Sequence, residues 1–487
     1  MKPSEHPWRL LIGGEPVPAV SGRRYPSVDP STEEPIALVP DGGAEDVEAA
    51  YRAAARAFPS WRATPPRARA ARLRDLARVL RGNREELATL DALDLGSPYR
   101  EMLLDVDRAA DSLDLFADCA LELRGEVIPA SADHLHYTTR EPYGVVGRIL
   151  PFNHPIMFAA GKIAAPLVAG NTVIVKPAHQ TPLSALRMGE LFADLLPPGV
   201  LNIVTGAGPE PGIAIAAHPG IRRIAFIGGE RTGRAVQRTA AEAAVKHVTL
   251  ELGGKNAMVV FPDADLEAAA RSAVKGMNLT AGSGQSCGST SRLLLHTAIA
   301  DTVTDRVRTL MSALKVGPAL DPDTDVGPLV SAEHAARVLA HLRTARKEGA
   351  VVATGGGRPG HLARGYFVEP TLLTGVRPDM TAANEEIFGP VLSVLTFAAE
   401  QEALRLANAV EYGLTAAVWT RDLTRAHRFA AAFEAGFVWV NGSSQHFPGV
   451  PYGGVKASGV GREESVEELI GFTQTKAVTV FGAGIQG

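Results

Sequence analysis

The sequence predicts an α/β fold built on a parallel, doubly wound sheet. Three observations support this prediction. The chain has 487 residues, enough for two or three domains. From about residue 143, short β-rich runs such as GVVGRIL, TVIVKP and RRIAFIGG alternate with helix-like stretches such as SALRMGELFADLL, and the alternation returns after residue 287 with SRLLLH, VLSVLTF and GFVWVNG. Such an alternation predicts parallel strands with crossover helices, and these sheets bind ligands beyond the carboxyl ends of their strands.

The same patterns divide the chain. Residues 44–125 have apolar residues at three- and four-residue spacings, which predict amphipathic helices. We assign 1–123 and 143–253 to a first α/β domain and 254–457 to a second. The strand-like segments within 124–142 and 473–487 fall outside both sheets, and we predict that these strands lie at subunit contacts.

Composition restricts the possible partners. Charged residues make up 21% of the chain and the net charge is −4, with no basic stripe for nucleic acid and no polybasic membrane patch. Two cysteines are too few for a disulfide framework and favour a reducing cytoplasm. The pattern of a signal peptide is missing, and no apolar run is long enough to span a bilayer. We expect a cytoplasmic protein without a metal site, whose partners are small molecules and copies of itself.

Cys287, in the segment GSGQSCGST, is the first candidate catalytic residue. A lone cysteine is most often a small buried hydrophobic residue. The glycines around Cys287 suit a loop in which backbone amides approach a reacting atom. The local sequence leaves both interpretations open, whereas Cys119 lies in a helical run and is interpreted as structural.

Three polar residues close or follow predicted strands. Glu251 follows an apolar strand, where it is either a surface carboxylate or a buried general base. Asn153 lies between two prolines, where its amide either caps a turn or donates a hydrogen bond to a developing oxyanion. Lys176 ends the strand NTVIVK, where its amine either reaches water or meets a phosphate or ribose.

The best candidate for phosphate binding is RRIAFIGGERTG. A predicted strand ends there, and Gly228, Gly229 and Gly233 lead into a predicted helix, whose free amides would favour an anion. A plain strand–turn–helix junction explains the same pattern. The G-x-G-x-x-G fingerprint is absent, because GAGPEPG at 206–212 has the wrong spacing and two prolines.

Taken together and in order, these motifs resemble the aldehyde dehydrogenase superfamily. Its motifs are similar to ILPFNHP, GKIAAPL, VIVKPAHQTP, FIGGERTG, ELGGKNA, GQSCG, EEIFGPV and PYGGVKASGVGRE, from about residue 10 to about residue 480. The resemblance implies a Rossmann-like NAD(P)-binding domain over 1–123 and 143–253, a catalytic domain carrying the nucleophile over 254–457, and oligomerisation strands in 124–142 and 473–487. It also implies a homodimer or homotetramer, and a sheet that binds its cofactor without the standard glycine fingerprint.

The resemblance extends to single positions. Cys287 falls on the nucleophile, Glu251 on the general base and Asn153 on the oxyanion-binding amide, while Lys162 matches a lysine of the proton-handling site. The implied reaction passes through a thiohemiacetal and a thioester on the cysteine to a carboxylic acid. Residues matching cofactor contacts of the family are Ile149, Leu150, Pro151, Lys176, His179, Gly228, Gly229, Gly233, Leu252, Glu386 and Phe388.

Departures from the family pattern concern the cofactor and the substrate. His179 replaces a glutamate found in many NAD-using members, which makes NADP admissible, although we favour NAD slightly. The predicted substrate pocket is wider and more polar than usual, which favours a substituted aromatic or carboxylated aldehyde. The residues assigned to this pocket are His154, Phe158, Gly161, Ser286, His446 and Tyr452.

Two other functions compete with this interpretation. A CoA-acylating semialdehyde dehydrogenase has the same fold, but its members generally lack the base that Glu251 would supply. A non-catalytic structural or binding protein could also keep the fold. The presence of Cys287, Glu251 and Asn153 in one chain argues against that second alternative.

Overall fold

The computed structural model describes residues 2–482. Its strands are β1 (Leu10–Ile12), β2 (Glu15–Val17), β3 (Arg24–Asp29), β4 (Glu34–Pro40), β5 (Leu135–Pro142), β6 (Val145–Ile149), β7 (Thr172–Lys176), β8 (Leu201–Ile203), β9 (Ile221–Ile227), β10 (His247–Glu251), β11 (Ala257–Val260), β12 (Arg292–His296), β13 (Val351–Thr354), β14 (Thr371–Thr374), β15 (Val391–Phe397), β16 (Tyr412–Gly413), β17 (Thr415–Trp419), β18 (Phe437–Val440), β19 (Val455–Lys456), β20 (Gly459–Val460) and β21 (Thr473–Val480).

The α-helices are α1 (Ala44–Ala63), α2 (Pro66–Gly82), α3 (Arg84–Leu95), α4 (Tyr99–Asp118), α5 (Pro155–Gly161), α6 (Ala164–Val168), α7 (Leu183–Phe192), α8 (Glu210–Ala217), α9 (Glu230–Ala243), α10 (Leu266–Gly276), α11 (Leu279–Gly282), α12 (Ala300–Ser312), α13 (Ala332–Glu348), α14 (Thr381–Asn384), α15 (Glu400–Asn408), α16 (Leu423–Ala432) and α17 (Val466–Gly471). Short 3₁₀ turns occur at Pro3–Glu5 and Cys119–Leu121. Among the helices of residues 2–482, none is long and apolar enough to cross a membrane.

The first large sheet has the strand order β2-β1-β8-β7-β6-β9-β10-β20. Its five central strands, from β8 to β10, are parallel, and antiparallel strands lie at both edges. From β6 the chain winds through β7 and β8 on one side and through β9 and β10 on the other. The predicted doubly wound sheet is thus confirmed, and its switch point, where such sheets open a ligand crevice, lies between β6 and β9.

Both faces of this sheet are covered by helices, which explains why its strands are continuously apolar. Side chains of successive strand residues point to opposite faces. Val146 and Val173 pack into the core formed with α2–α7, whereas Val145 and Ile174 pack into the core formed with α1, α8 and α9. The crevice therefore lies at the edge of a sheet buried on both faces.

The second large sheet has the order β13-β14-β15-β12-β11-β17-β18 and is parallel except for the pair β13–β14. It is formed entirely within 257–440, where the sequence indicates a second α/β unit. Met258 and Val259, neighbours on the central strand β11, pack into different cores on its two faces. The exact domain bounds given above stay a prediction.

The two predicted strands outside the sheets pair with each other. Strands β5 and β21 form an antiparallel ribbon in continuous register, from Thr473 opposite Pro142 to Val480 opposite Leu135. Residues 483–487 of the predicted segment lie outside the described residues. The role of the ribbon in subunit contacts stays a prediction.

A short C-terminal segment returns to the first sheet, which the sequence did not indicate. Strand β20 pairs with β10 through Glu251 opposite Gly459 and Leu250 opposite Val460. Gly459 has a φ of +129°, and a Cβ there would lie 2.0 Å from the Leu250 carbonyl oxygen. Only glycine allows this close approach, which places the residues around Ser458 beside the end of β10.

Candidate active site

The carboxyl ends of four parallel strands bring several predicted cofactor residues to one edge. Ile149 at the end of β6 is in register with Lys176 at the end of β7, and Glu251 at the end of β10 is in register with Ile227 at the end of β9. The Leu150 amide continues the pairing by donating to the Lys176 carbonyl oxygen at 3.0 Å. The segment from Ile149 to Pro151 therefore leaves the sheet at its switch point.

The glycine-rich turn after β9 lies on the other side of the same crevice. The Gly228 amide donates to the Glu251 carbonyl oxygen at 3.1 Å, and helix α9 begins directly after Gly229. A Cβ on Gly233 would lie 2.6 Å from Leu252 Cδ2, so a glycine is needed for α9 to approach the end of β10. A Cβ on Gly229 would meet nothing within 4 Å, so the space in front of the helix is open.

The Lys176 side chain is largely buried at the end of β7. The residue is only 8% exposed, and burial lowers the pKa of its amine to about 8. Within residues 2–482 the amine makes no hydrogen bond or ion pair. His179 is close enough that the Lys176 charge, together with burial of part of the ring, lowers the pKa of its imidazole. A largely buried lysine whose amine has no partner can accommodate a polar ligand.

The segment that carries Glu386 and Phe388 is held against the first sheet. Glu386 Oε1 accepts a hydrogen bond from the Gly254 amide at 2.9 Å, and burial raises the pKa of Glu386 to about 7. Phe388 has a φ of +56°, and its ring meets that of Phe152 edge-on at 5.7 Å between centroids. Glu386 is thus held by the segment that follows β10, and Phe388 contacts the segment that follows β6. These contacts place both residues next to the crevice.

His334 holds this segment and was missed by the sequence analysis. Its Nε2 lies 2.7 Å from the Phe388 carbonyl oxygen, and Arg337 Nη2 lies 2.9 Å from its Nδ1. Burial and the Arg337 charge lower the pKa of His334 to about 4, so the ring is neutral and donates through Nε2. This contact helps to keep Phe388 in its unusual left-handed conformation. Nothing in the local sequence of α13 distinguishes His334 from other residues of an amphipathic helix.

The loop carrying Cys287 is anchored by Asn256, which was also missed. Asn256 Nδ2 donates to the carbonyl oxygens of Cys287 at 2.7 Å and Ser289 at 2.9 Å, and its Oδ1 accepts from the Thr415 amide at 3.0 Å. A polar residue directly before the buried strand β11 is the sequence feature from which the role of Asn256 could have been predicted. The loop also needs Gly284, with a φ of +75°, because a Cβ there would lie 2.4 Å from the Gly389 carbonyl oxygen.

Cys287 and Glu251 influence each other's ionisation. Glu251 is 5% exposed, and burial, followed by the charge of Glu463, raises its pKa to about 8. Burial and the Glu251 charge raise the pKa of the Cys287 thiol well above its ordinary value. Within residues 2–482, neither the Cys287 amide nor Asn153 Nδ2 has a hydrogen-bond acceptor, although Asn153 is buried. The site therefore contains a neutral thiol, a carboxyl group that titrates near neutral pH and two free N–H donors.

Lys162 belongs to a buried charged cluster. Its Nζ lies 2.8 Å from Glu463 Oε2 and 4.0 Å from Glu464 Oε1, and Arg148 pairs with both Glu463, at 2.9 Å, and Glu468. Burial alone would raise the pKa of Glu463, but the charges of Lys162 and Arg148 lower it to about 2. The Glu463 partner was not predicted, because it lies in a different part of the chain.

The predicted pocket residues next to Asn153 contact helices α4 and α5. His154 Nδ1 lies 2.6 Å from Oδ2 of the buried Asp105, and its ring meets Phe158 edge-on at 5.6 Å between centroids. A Cβ on Gly161 would lie 3.4 Å from Ser112, so this glycine faces α4 at close range. Asp105 was not predicted, since it lies 49 residues away in a helical run.

The remaining predicted pocket residues are Ser286, beside Cys287 in the chain, Tyr452, which contacts the thiol, and His446, which packs against Tyr452. Tyr452 Oη lies 3.9 Å from Cys287 Sγ, and the rings of His446 and Tyr452 are 4.3 Å apart between centroids. His446 Nδ1 lies 3.1 Å from Glu464 Oε2. Ser286, next to the thiol, is half-buried and accepts a hydrogen bond from the Ser289 amide at 3.2 Å. The structure thus connects Cys287 through Tyr452, His446 and Glu464 to Lys162.

The fold and the site define an enzyme in which a dinucleotide-type crevice adjoins a half-buried cysteine and a buried carboxyl group. A family model described as aldehyde dehydrogenase family matches residues 17–478. The chain belongs to the aldehyde dehydrogenase family, an oxidoreductase class that oxidises aldehydes to carboxylic acids with NAD or NADP.

Individual relatives agree with this membership. The chain is 44% identical over 480 residues to aldehyde dehydrogenase tropH of Talaromyces stipitatus, covering 97% of this chain and 93% of that protein. It is 41% identical to a chloroplastic aminoaldehyde dehydrogenase of Arabidopsis thaliana, covering 97% and 96%. Its structure matches an NAD+ complex of aldehyde dehydrogenase from Bacillus cereus with a TM-score of 0.95, 41% identity and coverage of 98% and 97%. These similarities confirm the predicted family, fold, enzyme class and use of NAD(P).

Proposed function

We propose that this enzyme belongs to the hydrolytic branch of the family and that Cys287 is its nucleophile. The observation that carries the proposal is the interaction between Cys287 and Glu251. Cys287 is half-buried, Glu251 is buried, and the charge of Glu251 acts on the sulfur. A carboxyl group whose pKa is about 8 can accept a proton from water near neutral pH.

The first step is attack of the Cys287 thiolate on the aldehyde carbon. Cys287 is half-buried, so its thiol can lose its proton to solvent before the aldehyde reacts. The carbonyl oxygen becomes an oxyanion, which needs N–H donors that have no other acceptor. Asn153 Nδ2 and the Cys287 amide meet this requirement within the described residues. We assign these two groups to the stabilisation of the tetrahedral thiohemiacetal.

The crevice fits a nicotinamide dinucleotide. Lys176 is largely buried and its amine has no partner within the described residues, which leaves it free to bind a ribose. The open space before Gly229 allows a pyrophosphate to approach the start of α9. Glu386 and Phe388 are held at the same edge and would contact the nicotinamide ribose and ring. A bound nicotinamide would supply the acceptor for the hydride of the thiohemiacetal carbon.

The remaining thioester on Cys287 is hydrolysed by water. Glu251 in its ionised form deprotonates the water, and the product is a carboxylic acid with a free thiol. We assign Lys162 and Glu463 to the electrostatic control of the ionisation of Glu251 during this step. The charge of Glu463 acts on Glu251, and Lys162 pairs with Glu463 at 2.8 Å.

Glu251 is also the reason for favouring water over coenzyme A as the acyl acceptor. A buried base beside the thiol is useful for activating water, whereas a thiol acceptor does not require it. A non-catalytic role is disfavoured by the energetic cost of this arrangement. Burial of Glu251 and Lys162 in one region destabilises a chain that does not use them.

For the substrate, we propose an aromatic or carboxylated aldehyde. The pocket has two imidazoles, each paired with a carboxylate: His154 with Asp105 and His446 with Glu464. These rings offer polar contacts that a short aliphatic aldehyde cannot use. Much higher kcat/KM for acetaldehyde than for benzaldehyde-type substrates would contradict this assignment.

We also propose a homodimer or homotetramer in the cytoplasm, with NAD slightly favoured over NADP. The ribbon of β5 and β21 supports an assembly role, because an isolated two-stranded ribbon needs a partner surface for stability. His179 near Lys176 leaves the cofactor choice open, because it adds no negative charge beside the ribose.

An aldehyde panel tests the proposal. Each aldehyde is assayed with NAD and with NADP by the absorbance of the reduced cofactor, and products are identified with and without coenzyme A. We expect a carboxylic acid in both conditions. Acyl-CoA formed at the expense of the acid would establish the acylating alternative, and no reduction of either cofactor with any aldehyde would favour the non-catalytic one.

A further inference from the structure

We propose that Tyr452 is a further catalytic residue, whose phenol donates a hydrogen bond to the Cys287 thiolate. The inference rests on the proposed function, since it takes Cys287 as the nucleophile. In the pocket assignment Tyr452 is only part of the wall. Because Tyr452 lies next to the sulfur, it can also favour ionisation of the thiol before the aldehyde reacts.

The hydroxyl group is placed for this contact. Tyr452 Oη lies 3.9 Å from Cys287 Sγ, and within residues 2–482 it has no other hydrogen-bond partner. The residue is 4% exposed, so water cannot readily replace the sulfur as partner. Gly288 leaves room for the phenol, because a Cβ there would lie 3.1 Å from Oη. Donation to a thiolate is stronger than donation to a neutral thiol, so the contact favours ionisation.

Backbone hydrogen bonds fix the main chain of Tyr452, and two neighbouring rings pack against its side chain. Its amide donates to the Glu463 carbonyl oxygen at 3.0 Å, and its carbonyl oxygen accepts from the Glu463 amide at 2.7 Å. His446 lies against the ring at 4.3 Å between centroids and is itself bound by Glu464. Phe437 packs against the same ring at 5.6 Å. His446 and Glu464 are therefore positioning residues, which keep Oη directed at the sulfur.

The surroundings of the sulfur disfavour its ionisation, so the thiolate needs a hydrogen-bond donor. Burial, Glu251 and Glu386 all disfavour the thiolate, and the hydrogen bond from Tyr452 acts in the opposite direction. The phenol itself faces Cys287, Glu251 and Glu464, with His446 alongside. Burial and these negative charges raise the pKa of Tyr452 well above its ordinary value. The phenol is therefore a neutral donor at neutral pH.

The test measures the ionisation of the thiol directly. In a Cys119→Ser background, Cys287 is the only cysteine, and its rate of alkylation by iodoacetamide is followed against pH without cofactor. Tyr452→Phe removes the hydroxyl and keeps the ring. We expect the inflection of the alkylation profile to rise by about one pH unit, the effect of losing one hydrogen bond to a charged group.

Three variants make the result specific. Glu251→Gln is expected to lower the inflection, because it removes a repulsive charge. His446→Ala keeps the phenol but removes the ring that packs against it, and we expect the inflection to rise less than in Tyr452→Phe. Tyr25→Phe is the matched control, since Tyr25 is buried and its hydroxyl has no hydrogen-bond partner within the described residues. It is expected to leave the profile unchanged.

An unchanged inflection in Tyr452→Phe would overturn the inference even if turnover fell, because a wall residue affects substrate binding without affecting thiol ionisation. If that variant does not fold, an unchanged inflection in His446→Ala has the same meaning. Alkylation needs no aldehyde or cofactor. A failure of this inference is therefore distinguishable from a failure of the proposed function, which would appear as no turnover in the parent enzyme.

Discussion

Lys162 Nζ lies 2.8 Å from Glu463 Oε2, although the two residues are about three hundred positions apart in the sequence. Both are buried, and Arg148 pairs with the same carboxylate at 2.9 Å. The Glu463 charge also acts on Glu251, the proposed base. This pair therefore connects the stability of the first sheet with the ionisation of the site.

We predict that Glu463→Gln destabilises the protein by about 3–5 kcal/mol, because it leaves two buried cations short of a partner. Urea unfolding measures this change. Glu434→Gln is the control, since Glu434 pairs with Lys456 on the surface at 2.9 Å, and we expect it to cost less than about 1 kcal/mol. Similar costs for both variants would contradict the importance of the buried cluster.

The same carboxylate predicts an acid limit to stability. The pKa of Glu463 is about 2 in the folded protein, below the ordinary value of 4.5 that applies after unfolding. The unfolded state therefore binds the proton more tightly, so the stabilisation is complete above pH 4.5 and is lost as pH falls toward 2. Unfolding free energies measured across this range should decrease with acid, and the decrease should be smaller in Glu463→Gln.

The Glu251 pKa of about 8 predicts the pH dependence of hydrolysis. Since only the carboxylate can accept a proton from water, deacylation should accelerate as pH rises through about 8. Glu251→Gln should retain a burst of reduced cofactor while deacylation slows about a hundredfold or more. Rapid-mixing experiments resolve both phases. An unchanged steady-state rate in the variant would exclude Glu251 as the base.

Cys287→Ala should reduce turnover by at least about a thousandfold, because no other group can form the covalent intermediate. Cys119→Ala is the matched control and should keep full activity, since Cys119 lies beyond the end of helix α4. Steady-state assays with the best aldehyde of the panel measure both. Near-full activity of Cys287→Ala would remove the basis of the proposed mechanism.

His154 should influence substrate choice through its contact with Asp105, 2.6 Å away. His154→Phe replaces a polar ring with an apolar one, and we expect the ratio of kcat/KM for carboxylated over uncharged aromatic aldehydes to fall about tenfold. Asp105→Asn keeps the shape of the buried partner and should change the ratio in the same direction. The exposed His361 offers a control in His361→Phe, with no change in the ratio. Equal ratios in all four proteins would assign substrate choice to other residues.

His179→Glu should increase the preference for NAD. A carboxylate near Lys176 repels the 2′-phosphate of NADP and can accept hydrogen bonds from ribose hydroxyls. We expect KM for NADP to rise about tenfold, with little change in KM for NAD. Parallel titrations with both cofactors measure this effect. An equal change in KM for both cofactors would show that position 179 does not contact the adenosine ribose.

The local features of this protein followed from its sequence. The strand ends at Lys176 and Glu251, the glycine turn at Gly228 and the loop around Cys287 all have the conformations that their residues predict. This is because strands, helix starts and glycine turns depend mainly on residues a few positions apart. The order of the motifs was enough to indicate the family.

The chemical state of the same residues was decided by the tertiary structure. Burial of Lys176, the pairing of Lys162 with Glu463 and the anchoring of Cys287 by Asn256 join segments that are distant in the chain. A pKa depends on desolvation and on nearby charges, and neither can be read from neighbouring residues. The sequence thus indicated candidate residues for the site, whereas only folding determined which of them are buried, ionised and in contact.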